Sequence, residues 1–208
     1  MKSVLAFGDS LTWGFDPATG RRHAFDDRWP NVVARALGPR ATLITDGLRG
    51  RHTAYDLPTS VADCNGAKSL PTVLSTHAPL DLCVVLLGTN DVVLGRTSTQ
   101  ARRGLARLIE VIRHHPMRLP DPCVPDILIV APPPPVETKT NPEVTASIAL
   151  HGAALAEAFA AEAHAQGAGF FDAGAVARVS SDDGFHLDAK MTRTLGEALV
   201  DPIRTMLW

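Results

Sequence analysis

Several kinds of chemistry are nearly absent from this sequence. Its 208 residues hold only three cysteines, Cys64, Cys83 and Cys123, and no two form a CxxC pair. That excludes a disulfide framework and offers no zinc-ligand spacing. Cys83 stands in an apolar run and reads as buried packing. Net charge is only -2, so the electrostatic footprint of a nucleic-acid or acidic-membrane binder is missing. The one loose basic group, Arg102, Arg103, Arg107 and Arg113, has the spacing of a solvated helix face. No apolar run approaches the roughly 20 residues of a membrane span. There is no GxGxxG, no Walker loop and no GxSxG, which argues against nucleotide binding and against an α/β-hydrolase elbow. His114 and His115 close a helix without metal-ligand spacing, and His23, His151 and His164 read as surface residues. No metal and no cofactor are expected. Residues 1–7 look like the start of a signal peptide. Cleavage after a signal of ordinary length would remove Ser10, so the segment is read as structure and the cytoplasm is the expected compartment.

What remains is an ordinary soluble composition, 45% hydrophobic and 20% charged, and a length that suits one domain over residues 1–208. Five short apolar runs recur, at residues 4–7, 42–45, 82–87, 127–131 and 170–172. Helical patterns lie between them. Trp29, Val32, Val33 and Leu37 form one apolar stripe, with Pro30 early and Gly38 at its end. Leu105, Leu108, Ile109 and Ile112 form another. Asn141-Pro142-Glu143 reads as a cap for one long alanine-rich helix carrying Ile148, Leu155 and Phe159, closed by Gly167. A last helix starts near Asp188, and Pro202 should kink or end it. Strand and helix alternating at this length predict an α/β fold: a doubly wound, five-stranded parallel sheet with helices on both faces.

The polar residues of interest all follow strands. Ser10 follows the first, Gly47 the second, Gly88-Thr89-Asn90-Asp91 the third, and Asp183 and His186 the fifth. A parallel sheet brings those positions to one edge, where ligands bind in open α/β folds. A lone serine hydroxyl is a poor nucleophile and needs a base and a group that orients the base. The residue types supply both. Ser10 would attack a carbonyl carbon, His186 would accept its proton and return it to the leaving alcohol, and Asp183 would hold the imidazole. The Ser10 and Gly47 backbone N–H groups and the Asn90 amide are the candidate donors to the oxyanion. Trp13 is expected in the pocket wall. Asp9 and Asp91 are expected to support loop geometry.

Gly8-Asp9-Ser10-Leu11, Gly47, Gly88-Thr89-Asn90-Asp91 and Asp183-Gly184-Phe185-His186 resemble, in order, the four motif blocks of the GDSL, or SGNH, hydrolases. Leu11-Thr12-Trp13-Gly14, Asp27-Arg28-Trp29, Gly47-Leu48, Arg51 and Thr76-His77-Ala78-Pro79-Leu80-Asp81 resemble the arylesterase/acyltransferase branch. The resemblance implies a flavodoxin-like sheet and the same roles for Ser10, Gly47, Asn90, Asp183 and His186. It also implies a metal-free esterase for short acyl esters, possible transfer of the acyl group to alcohols, and a homo-oligomer. The partner is then a small-molecule ester. Carbohydrate O-deacetylation and lysophospholipid cleavage on the same machinery are the alternatives, and a non-catalytic binding protein of the same fold is the rival from another class.

The chain departs from that branch at three places. Arg49 and His52 stand where a small polar residue and a threonine are usual, and Val92 and Val93 replace a common lysine. A guanidinium beside the acyl pocket could narrow it, favour substrates with an anionic group, or point to solvent.

Overall fold

The computed structural model describes residues 1–116, 124–142 and 144–208. Cys123 and Glu143, both named above, lie outside the described residues. Five strands, β1 (Lys2–Gly8), β2 (Ala41–Gly47), β3 (Leu82–Leu86), β4 (Asp126–Ala131) and β5 (Gly169–Asp172), form one parallel sheet in the order β2-β1-β3-β4-β5. The chain reverses direction across the sheet between β1 and β3, which pair directly from Val4↔Leu82 to Gly8↔Leu86. This is the switch point at which open α/β sheets gather ligands.

Alternation within each strand sorts its side chains onto two faces. Leu5 and Phe7 of β1, Cys83 and Val85 of β3, and Ile127 and Ile129 of β4 pack on one face. They meet α3 (Gly66–His77) through Leu70 and Leu74, α5 (Ser98–His114) through Leu105, Leu108, Ile109 and Ile112, and α7 (Leu155–Ala165) through Leu155 and Phe159. Val4 and Ala6, Leu82 and Val84, and Leu128 and Val130 turn to the other face. They are covered by α2 (Trp29–Leu37) and by α8 (Ala189–Leu207), whose Leu195, Leu199, Ile203 and Leu207 recur at helical spacing. Every residue of β3 is buried, as a strand covered on both sides requires.

The alanine-rich segment is two helices, not one. Thr145 caps α6 (Ala146–Ala153) by accepting from the Ile148 N–H, and the chain turns at Ala154 before α7. The cap therefore lies after Asn141-Pro142. α8 also runs through Pro202 to Leu207. A proline deprives a helix of one hydrogen bond and crowds the preceding turn, but burial of Ile203 and Leu207 beyond it keeps the segment helical. Cys83 is buried in the apolar core, as its strand position suggested.

Candidate active site

Gly8 ends β1 and α1 (Ser10–Trp13) begins at once. A Cβ on Gly8 would lie 2.1 Å from Thr12 Oγ1 and 2.7 Å from the Leu86 carbonyl oxygen, so only glycine lets the chain turn this sharply. Asp9 caps the short helix, its Oδ1 accepting from the Leu11 N–H at 2.9 Å. These two residues hold Ser10, which is 5% exposed, at the carboxyl edge of the central strands.

His186 reaches Ser10 from a loop after β5. Gly184 has φ of 83°, and a Cβ there would meet the Val136 carbonyl oxygen at 2.2 Å. Val136 N–H donates to the Gly184 carbonyl, which pins this loop to the segment following β4, and Ser180 N–H donates to the His186 carbonyl, which closes the loop on itself. His186 Nε2 then stands 2.8 Å from Ser10 Oγ, and His186 Nδ1 stands 2.6 Å from Asp183 Oδ2. The Phe15 and Phe185 rings flank the imidazole at centroid distances of 4.4 and 4.5 Å. Asp183 Oδ1 accepts from the backbone N–H groups of Phe185 and His186. Burial opposes the Asp183 charge, but the bonds from the His186 ring and from these two amides outweigh it and hold the carboxyl below the ordinary aspartate range.

Asn90, in α4 (Thr89–Val93), follows β3. Its Nδ2 donates to the Arg51 carbonyl at 3.0 Å and to Asp9 Oδ2 at 3.3 Å. The amide is thereby aimed by the loop after β2 and by the residue preceding Ser10. Behind it lies a buried acidic pair. Asp91 accepts from the Thr53 N–H and hydroxyl. Burial pushes Asp9 up to about 7, with the charge of Asp91 adding and Leu11 N–H and Arg51 opposing. Burial likewise raises Asp91 to about 6.

A raised carboxyl has a definite thermodynamic sign. The unfolded chain ionises Asp9 near the ordinary value while the folded chain still holds the proton, so stability is fully present below the unfolded pKa and is lost as pH rises through about 7. Asp9→Asn removes that titration. Its melting temperature relative to the wild type is expected to climb between about pH 4 and about pH 7 and to level off above that. Melting curves that shift in parallel across this range would show that Asp9 does not titrate in this way.

A cavity of about 370 Å³ opens over Ser10 and is lined by Ser10, Arg49, Gly50, Asn90 and His186. Gly47 is not one of its lining residues. It pairs with Gly8 at the end of β2, and a Cβ there would sit 2.4 Å from the Trp13 backbone nitrogen. Its bare backbone lets β2 press against α1. Gly50, with φ of 78°, stands in the cavity wall. Trp13, half-buried at the end of α1, also lies outside the lining and meets the wall through Arg49, whose guanidinium carbon is 5.5 Å from the indole centroid. His52 is buried, with neither ring nitrogen partnered among the described residues. Burial, aided by Arg96, lowers its pKa and keeps it neutral. His23 proves buried rather than on the surface, its Nε2 lying 3.0 Å from the Leu187 carbonyl oxygen. It ties the end of the His186 loop to the segment after α1, a role that residue type alone does not signal.

Phe15 is the functional neighbour that the sequence reading missed. Its signal was an aromatic two positions beyond Trp13. Among the described residues, no three His, Cys, Asp or Glu side chains are grouped to hold a metal ion, and no helix is long and apolar enough to cross a membrane.

The chain matches the GDSL-like lipase/acylhydrolase family over residues 6–193. No curated protein sequence matches it. Among solved structures, it is similar to a carbohydrate acetylesterase family member from Sinorhizobium meliloti, at 46% identity and a TM-score of 0.96, covering 100% of this chain and 99% of that one. It resembles the aryl esterase of M. smegmatis at 36% identity and a TM-score of 0.92, covering all of both chains. A second carbohydrate acetylesterase from Sinorhizobium meliloti shares 32% identity at a TM-score of 0.92, over 99% of this chain and 100% of that one.

Proposed function

Because this chain belongs to the GDSL-like lipase/acylhydrolase family, we propose that it is a serine esterase that cleaves short-chain carboxylic esters through an acyl-Ser10 intermediate. The observation that carries this reading is the continuous line from Asp183 Oδ2 to His186 Nδ1, at 2.6 Å, and from His186 Nε2 to Ser10 Oγ, at 2.8 Å.

Ser10 Oγ bonds to the ester carbonyl carbon while its proton passes to His186 Nε2. Asp183, ionised because its carboxyl is held low, keeps the other ring proton on Nδ1 and stabilises the imidazolium. The carbonyl oxygen becomes an oxyanion. Its donors are assigned to the Ser10 backbone N–H, the Asn90 amide and the turn at 47–50. Asn90 already donates two bonds, and the longer one, to Asp9, is the one released to the oxyanion. Losing one such donor costs on the order of 10²–10³ in turnover. Collapse of the intermediate breaks the bond to the alcohol oxygen, which takes the proton from His186. Water, or a second alcohol in an acyl transfer, then repeats the sequence in reverse and frees Ser10.

The cavity is at the small end of ligand pockets, which run from roughly 300 to 1,000 Å³, and this supports a short acyl group. The likeness to carbohydrate acetylesterases at up to 46% identity favours one second reading, deacetylation of an acetylated sugar, which is also short-acyl chemistry. A panel of 4-nitrophenyl acetate, butyrate and octanoate, an acetylated sugar and a lysophospholipid tests the proposal. The acetate is expected to give the highest kcat/KM and the lysophospholipid none. Preference for octanoate or lysophospholipid would overturn the short-acyl assignment.

A further inference from the structure

We propose that Arg49 selects esters that carry a carboxylate or similar anionic group away from the scissile bond, an inference that rests on the esterase reading above. Arg49 is exposed, and it lines the open cavity over Ser10 together with Gly50, Asn90 and His186, so an anionic substrate in that cavity can reach it. Its guanidinium carbon lies 4.7 Å from the Phe15 ring centroid and 5.5 Å from that of Trp13. Phe15 in turn contacts the His186 ring. The cation is therefore seated on the same aromatic wall that steadies the base.

Its hydrogen-bonding edge is uncommitted. Arg51, two residues on, spends its charge on Asp46 at 2.6 Å and donates to the Gly8 and Asp46 carbonyls. Among the described residues Arg49 makes no ion pair and no side-chain hydrogen bond. Asp46, Asp183 and Asp16 are already engaged, by Arg51, His186 and Thr19 respectively. Arg22 adds a second positive charge at this wall, its guanidinium carbon 4.9 Å from the Trp13 centroid. Stacking on aromatic faces leaves the in-plane N–H groups of a guanidinium free, and those groups match a carboxylate in a bidentate pair. A neutral ester leaves them to water, and an anionic one engages them.

The test compares matched esters that differ only in charge. 4-Acetoxybenzoate and 4-acetoxybenzamide place the difference on the leaving alcohol. The phenyl monoester of glutaric acid and its terminal amide place it on the acyl side. In at least one pair the wild type is expected to favour the anion by about two- to fivefold in kcat/KM, the upper part of the range for an exposed ion pair. That ratio should fall to about one in Arg49→Gln and below one in Arg49→Glu, and should shrink at about 1 M salt, where screening shortens the Debye length to about 3 Å. Wild-type ratios near one in both pairs, or a ratio that survives both substitutions, overturns the inference while turnover of the neutral esters leaves the esterase reading standing. Silence on all four esters removes the esterase reading and this inference together.

Discussion

Ser10→Ala is expected to lower the turnover of 4-nitrophenyl acetate by about 10⁴- to 10⁶-fold while the far-UV circular dichroism spectrum is unchanged. The size of the effect follows from what is removed. No other hydroxyl among the cavity's lining residues could replace Ser10 Oγ, because the rest of the lining is Arg49, Gly50, Asn90 and His186. The residual rate would be the contribution of binding and of the oxyanion donors, which remain in place. The fold should tolerate the change. Ser10 is held by the Gly8 turn and the Asp9 cap rather than by its own hydroxyl, and the loss of one side-chain hydrogen bond typically costs about 1 kcal/mol. Turnover within tenfold of the wild type would mean that Ser10 is not the nucleophile.

Asp183→Asn is the second large effect, with kcat expected to fall by about 10⁴-fold, the magnitude of the same exchange in a serine protease triad. The geometry gives the reason. An asparagine can keep its oxygen on the Phe185 and His186 amides, where Asp183 Oδ1 now accepts two bonds. Its nitrogen then faces His186 Nδ1 in place of Oδ2. Nδ1 must become the acceptor, the ring proton moves to Nε2, and the nitrogen 2.8 Å from Ser10 Oγ can no longer take a proton. The wild-type carboxyl is held low and stays ionised near neutrality, so the substitution removes a charge that is present there. A loss of less than tenfold would show that His186 is oriented without Asp183.

Much of this arrangement was legible in the chain because its strands are short, apolar and separated by amphipathic helices. The buried centre of the sheet forces β3 and β4 to be apolar at successive positions, and parallel topology then sends every strand end to one edge. Ser10, Asn90, Asp183 and His186 could be read in this way. What was hidden depends on packing or on backbone angles. α3, which contains Pro71, is held in the core by Leu70 and Leu74, and no apolar stripe over it was named from the sequence. Burial beyond Pro202 overrode the helix-ending tendency of proline in α8. The place of Gly50 in the cavity wall depends on a left-handed turn at that residue, which the sequence pattern does not announce. The seat of Arg49 on Phe15 links positions far apart in sequence, and no local pattern announces such a contact.

The central claim is that an alcohol on the first strand's end is the atom that becomes acylated. Reaction with a 4-nitrophenyl phosphonate, followed by peptide mass mapping, tests it most directly. One covalent adduct on Ser10, absent from Ser10→Ala and slowed in Asp183→Asn, is the predicted result. An adduct on a different residue, or none while ester turnover persists, would contradict it.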